Sequence, residues 1–238
     1  MKWIAFTLLL VPAFAGCLTG LLDGDSVSPK DLITDQKSKW VIEIDYVQGH
    51  RPSQDAIDLL KSRMNALVHK DSIQVIVDDV IPSQKQGLKV SDFERLKDAH
   101  KDQSNSDDTV VTYVLYVDGG SASDTDEGKV LGLAYSHNTV VMFDETINNA
   151  ANLRFSATEI ERAVLVHEFG HILGLVNNGI PMKTPHEHST EKKHSDNPNS
   201  VMTPAVETTT NLFNIIGGLP TAFDADDKAD ICAFGGKC

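Results

Sequence analysis

From residue 40 onward the chain switches between two hydrophobic periods, and the switches mark out its elements. Trp40 to Val47 alternates apolar and polar positions, the period of a half-buried strand. Pro52-Ser53 then offers a helix start. Ala56, Leu59, Leu60, Met64 and Leu67 follow at spacings of three and four, which predicts a helix reaching His69. Ile73 to Val80 returns to strand character, and a strand, a helix and a strand in that order predict a βαβ unit with a parallel pair. A second helix is expected from Ser91 to His100, with Ser91 as cap and Glu94 three residues on. Val110 to Val117 is strongly β-branched and aromatic, so it is expected to be the central strand, ending at Asp118-Gly119-Gly120. Two short strands are expected at Val130 to Tyr135 and Thr139 to Phe143, joined by Ser136-His137-Asn138.

The next switch of period carries chemistry. Ser156-Ala157-Thr158-Glu159 is a capping-box pattern, and Ile160, Ala163, Val164, His167, His171 and Gly174 follow at helical spacing. That phase puts His167 and His171 on the inward face, four residues apart, where two imidazoles can share one Zn²⁺ with Glu168 beside them as general base. Gly170 and Gly174 each cost about 1 kcal/mol in a helix interior, so each needs a reason. Gly174 is placed to end the helix, because glycine enters the left-handed conformation without penalty. Farther on, Leu212 to Ile216 is apolar, Gly217-Gly218 and Pro220 break the pattern, and Thr221 to Asp226 leads into a helix toward Cys232. Asp224, Asp226, Asp227 and Asp230 suit the start of that helix electrostatically without invoking a metal.

At 238 residues, 41% hydrophobic and 23% charged, the chain can bury a sizeable core and reads as one domain with insertions, a monomer. Its 21 Lys+Arg against 34 Asp+Glu give −13, and no basic run offers a phosphate-binding surface, so nucleic acid is not an expected partner. At the N-terminus, Lys2 and the apolar run Trp3 to Val11 precede Phe14-Ala15-Gly16-Cys17. This resembles a lipoprotein signal over residues 1–16, with Cys17 lipidated, and implies an extracytoplasmic, lipid-anchored protein of the cell envelope. The competing reading is an ordinary secretory signal with an incidental Cys17. Residues 17–39, polar and containing Gly20, Gly24, Ser26, Ser28 and Pro29, read as a tether, which leaves 40–238 as the folded domain. Cys232 and Cys238 are expected to close a small disulfide loop. The acidic segment Ser121 to Lys129, with Asp124, Asp126 and Glu127, lacks EF-hand spacing and reads as a surface loop.

His167, Glu168, His171 and Gly174 match the first four fixed positions of HExxHxxGxxH, so the chain resembles the metzincin metallopeptidases. The fifth position is Asn177, whose amide is a poor Zn²⁺ ligand. Downstream, His194-Ser195-Asp196-Asn197-Pro198-Asn199-Ser200-Val201-Met202 resembles the archaemetzincin stretch in which a third His is followed by Cys, four residues, Cys, Val and Met. The resemblance implies that His194 is the displaced third ligand, that residues 177–193 are an insertion, and that Met202 is the apolar floor of a Met-turn. His186 and His188, inside the insertion, stay open as alternative ligands. Serine at 195 and 200 implies loss of the second zinc site associated with those cysteines, and hence one catalytic Zn²⁺.

The implied fold is α/β and zincin-like: a twisted mixed sheet stacked on helices, the active helix at the floor of a cleft, and a smaller part after Met202. The implied activity is a zinc-dependent endopeptidase acting on a peptide or protein, with Glu168 taking a proton from water and returning it to the leaving amine. A strand just ahead of the active helix can pair with an extended substrate, which would bring His137 near the cleft. The competing classes are a non-catalytic envelope lipoprotein that uses the fold for binding, and a zinc hydrolase of a non-peptide amide.

Overall fold

The structure, a computed structural model, describes residues 26–84 and 87–238. In chain order its helices and strands are α1 (Pro29–Ile33), β1 (Lys39–Val47), α2 (Gln54–Leu67), β2 (Ser72–Ile81), α3 (Val90–His100), β3 (Thr109–Val117), β4 (Gly132–Ser136), β5 (Thr139–Phe143), α4 (Asp144–Ala150), α5 (Ala157–Ile172), α6 (Thr209–Phe213) and α7 (Ala225–Phe234). The five strands form one mixed sheet in the order β2-β1-β3-β5-β4. β1 runs parallel to β2 and β3, β3 runs parallel to β5, and only β4 is antiparallel, at an edge. The expected βαβ unit is therefore present, with α2 as its crossover.

β3 lies at the centre, and every residue from Val110 to Val117 is buried. Strand side chains alternate between faces, so this one run supplies two cores. Val110, Val114 and Tyr116 pack with Ile42, Leu60, Met64, Val164 and Phe169 on the side of α2 and α5. Tyr113, Leu115 and Val117 pack with Phe93, Leu96 and Phe143 on the side of α3. Trp40 joins sheet to active helix: its ring lies 5.9 Å from that of Phe169, and its Nε1 donates to Thr112 Oγ1 at 2.9 Å. Each large apolar side chain so buried contributes roughly 1.5–3 kcal/mol.

Local signals set most helix ends. Ser53 Oγ accepts from Ala56 N at the start of α2, and Ser156 and Glu159 form a reciprocal capping box at the start of α5. α3 departs from the expectation. It begins at Val90, and the Asp92 carboxylate accepts from Lys89 N at 3.0 Å, so Ser91 lies inside the helix instead of capping it. The short α4, directly after β5, has no counterpart in the sequence reading, because seven residues carry too little periodicity to show.

Residues 26–39 do not form a tether. Ser28 caps α1, Val27 is buried, and Leu32 and Ile33 are fully buried in the main core. Lys70 Nζ donates to the carbonyls of Asp31 and Lys37 at 2.6 Å each, and His69 N donates to the carbonyl of Ile33. Three apolar residues among many polar ones give no visible period, which is why composition alone reads this segment as a linker. The expected signal segment 1–16, Cys17 and the remaining positions of the expected tether lie outside the described residues. Among the described residues no helix is long and apolar enough to cross a membrane.

At the other terminus Cys232 and Cys238 are bonded, with Cα atoms 4.9 Å apart, and Lys237 N donates to the carbonyl of Leu67. Residues 31–37 and Lys237 thus fasten onto the end of α2 and the turn beyond it. Leu32→Ala should destabilise the protein by about 2–4 kcal/mol in denaturant unfolding. A loss below about 0.5 kcal/mol, the size of an ordinary surface substitution, would restore the tether reading.

Candidate metal centre

α5 is buried on nearly every side, from Ile160 to Gly170, because the sheet covers one face and the segment after Met202 covers the other. Within it His167 is fully buried. Its Nδ1 donates to the Val201 carbonyl at 2.7 Å, which fixes the tautomer and leaves the Nε2 lone pair free. His171, one turn on, places its Nε2 3.0 Å from that of His167. At that distance a proton on His171 Nε2 can be donated to the His167 lone pair, and a cation bound between the rings would take that proton's place.

His194 completes the group. Its Nδ1 donates to the Lys192 carbonyl at 3.0 Å, so its Nε2 also presents a lone pair, buried and without a hydrogen-bond partner. Its ring stacks on His167 with centroids 5.2 Å apart and meets His171 edge-on at 4.9 Å. The ligand atoms of the three residues all lie within 4.8 Å of one another. Three neutral imidazoles, two of them oriented by backbone carbonyls, form a donor set that fits Zn²⁺.

The route to His194 is unusual. α5 ends as expected at Gly174, with φ +83°, but Val176 at +52° and Asn177 at +61° are left-handed too, and they turn the chain away from the cluster. A β-branched residue in that region is costly, on the order of 1–3 kcal/mol. The chain returns as a hairpin: Glu187 bridges Ser195, His188 N donates to the His194 carbonyl at 2.7 Å, and Asp196 N donates to the His186 carbonyl at 2.8 Å. The alternative ligands do not join the cluster. His188 Nδ1 accepts from Glu191 N within its own loop, and His186 faces α7.

Met202 is fully buried beneath α5, and its position explains Gly170: a Cβ there would stand 2.1 Å from Met202 Sδ. Glu168, 2% exposed, accepts from Ala134 N at 2.7 Å, and its Oε1 presses on Gly132, where a Cβ would come within 2.8 Å. The edge strand β4 thus holds the carboxylate in place. Burial, followed by the charge of Glu207, raises Glu168 to about 8, against the pull of the Ala134 N–H. Burial lowers His167 to about 3, holds His171 well below its ordinary value and lowers His194, so all three are neutral near pH 7.

No protein-family model and no curated relative matches the sequence. Among solved structures, an archaemetzincin from Methanopyrus kandleri superposes with a TM-score of 0.51 at 11% identity, covering 83% of this chain and 96% of that one. The chain has the archaemetzincin fold. Metalloproteinase-II from Bacteroides fragilis also matches, with a TM-score of 0.48 at 15% identity, covering 86% of this chain and 55% of that one.

Within this archaemetzincin fold, Ser200 accepts from Met202 N and donates to Asp227 of α7 at 2.5 Å, so a hydrogen-bonded link stands at one of the two positions where the resembled pattern has cysteine. His137 does not reach the cluster. Half-buried, it donates from Nδ1 to the Ile172 carbonyl at 3.3 Å and so caps the end of α5. Asp124 accepts from Val130 N and braces its own acidic loop.

Sequence reasoning missed Glu207, which follows a 3-10 turn at Pro204–Val206 and places Oε2 3.6 Å from His194 Nε2. Burial raises its carboxyl to about 7. No motif marks it, because only folding brings it beside residues 168 and 194.

These shifts have opposite consequences for the metal-free protein. Histidines whose folded pKa is depressed leave stability to be lost as pH falls below their ordinary 6.5. Glu168, raised from 4.5 to about 8, makes stability fall as pH rises through that window. Glu168→Gln should therefore raise the melting temperature of the metal-free protein more at about pH 8 than at about pH 5. An equal shift at both would contradict a buried, proton-hungry Glu168.

Proposed function

We propose that the chain is a zinc-dependent endopeptidase held outside the cytoplasm by a lipid anchor. The observation that carries this reading is the convergence of the His167, His171 and His194 ring nitrogens beside the buried Glu168 carboxylate. A Zn²⁺ held by these three would lower the pKa of water toward 7 and polarise a scissile carbonyl. Glu168, already oriented by the Ala134 N–H, would act as general base toward that water and as acid toward the departing amine. Burial keeps it protonated near pH 7 in the metal-free protein, and the positive charge of a bound cation would lower its pKa to give the carboxylate that acts as base.

A peptide substrate is supported by β4, an edge strand whose main chain already reaches toward Glu168 through Ala134. An extended peptide laid along that edge would bring its carbonyls past the three histidines, by β-augmentation. This favours a peptide over a non-peptide amide. Placement outside the cytoplasm is supported by the Phe14-Ala15-Gly16-Cys17 run and by the Cys232–Cys238 bond, a cross-link that persists in oxidising compartments.

Glu168→Gln should keep one zinc per chain in elemental analysis and lose about 10²-fold or more of its cleavage rate on a peptide library. His194→Ala should lose the zinc, whereas His188→Ala should retain it. Zinc at one per chain with no turnover by the unmodified protein on any peptide or folded protein would instead favour a binding lipoprotein. For the anchor, Cys17→Ala should move the protein from the membrane to the soluble fraction of the producing cell. Unchanged membrane association would count against lipidation at Cys17.

A further inference from the structure

On the side of the insertion that faces α7, three buried polar atoms meet without hydrogen-bond partners: His186 Nε2, Asp227 Oδ1 and Asp230 Oδ2. The His186 side chain is 3% exposed and both aspartates are fully buried, with Nε2 3.5 Å from Asp227 Oδ1 and 3.7 Å from Asp230 Oδ2. The other polar atoms of the three side chains are occupied. His186 Nδ1 donates to the Thr184 carbonyl at 2.9 Å. Asp227 Oδ2 accepts from Ser200 Oγ and Asp224 N, and Asp230 Oδ1 accepts from Lys183 N at 2.6 Å.

That arrangement decides where a proton sits. With Nδ1 committed as a donor to a carbonyl, a neutral ring would turn a bare lone pair at Nε2 toward two carboxylates, and three acceptors would meet in a buried space. A proton on Nε2 makes the ring an imidazolium that both carboxylates can share, and it replaces three orphaned acceptors with charge-assisted contacts. A metal ion answers the geometry less well. Among the described residues the group of three ligand side chains placed to hold a metal is His167, His171 and His194. Burial opposes charge on His186, but the Thr184 carbonyl and then Asp227, Asp230 and Asp224 outweigh it and raise its pKa.

We infer that His186 is a positioning residue, an imidazolium paired with Asp227 and Asp230 that fastens the insertion to α7 and thereby places His194. This rests on His194 being a zinc ligand. The mechanical link is short: the His186 carbonyl accepts from Asp196 N, and His188 N donates to the carbonyl of His194, so the anchored strand is laddered onto the strand that carries the ligand. A ligand supplied from a long insertion lacks the helix that would otherwise aim it, and this clamp supplies a second fixed point beside the Ser195–Met202 hydrogen bond.

The test uses the full chain. In its zinc-loaded form, ¹⁵N ring shifts should assign His186 as doubly protonated at neutral pH. Zinc affinity, measured by competition with a chromophoric chelator, should fall about 10- to 100-fold in His186→Ala, the range typical of groups that orient a ligand. His188→Ala, in the same hairpin but with its ring bonded only within its own loop, should leave the affinity unchanged. A neutral His186 ring, a second bound metal ion per chain, or an equal loss in His188→Ala would overturn the inference. The ring assignment needs no variant, so it decides the matter even if His186→Ala does not fold. None of these readouts involves cleavage, and zinc retained by His194→Ala would instead mark failure of the ligand assignment on which the inference rests.

Discussion

The hydrogen bond from His167 Nδ1 to the Val201 carbonyl is the contact on which the cluster depends. It joins α5, which carries two of the three histidines, to the segment that carries the third. It also sets the tautomer that turns Nε2 inward. One residue on, Met202 fills the hollow left by Gly170, so the close approach that the hydrogen bond requires is sterically available only because residue 170 has no side chain. A helix position that is expensive by propensity is thereby the one that lets the two halves of the site meet.

The second feature of the site is its burial, complete for His167, nearly so for His194 and partial for His171. Three neutral imidazoles and a carboxyl with raised proton affinity are what a low-dielectric pocket imposes on histidine and glutamate. Each group is held in a form that costs stability over part of the pH range. A divalent cation would relieve all of these at once, so metal binding and folding stability are coupled in this fold. Glu207 enlarges the same electrostatic problem. It contributes a second carboxyl near His194 and pushes Glu168 further upward.

The segment between Gly174 and His194 brings the third histidine to the cluster by an indirect route. After Gly174 the chain leaves through left-handed Val176 and Asn177 and returns through a hairpin whose turn includes Lys193 at φ +66°. Such conformations persist only when surrounding contacts over-determine them. Here the contacts are Ile180 N on the Gly174 carbonyl, the hairpin ladder itself and the burial of His186 against α7. Pro29 of α1 also packs on both Gly174 and Gly179, so a segment whose composition suggests a linker braces the turn below the cluster.

What the residues declare by themselves is local. The βαβ order, the central position of β3, the caps of α2 and α5 and the inward phase of His167 and His171 follow from periods of two and 3.6 and from side chains that satisfy nearby backbone groups. The Cys232–Cys238 bond was legible for a similar reason, since the two cysteines stand only six positions apart. The distance of His194 from Met202 pointed to the third histidine, but only through resemblance to a known pattern. Tertiary structure alone decided that His186 and His188 stay out of the cluster and that Glu207 joins its surroundings. It also decided that Leu32 and Ile33 belong to the core and that Gly170 exists for Met202. These are meetings between residues far apart in the chain, and their outcome depends on how an insertion closes and what it packs against, which no local period encodes.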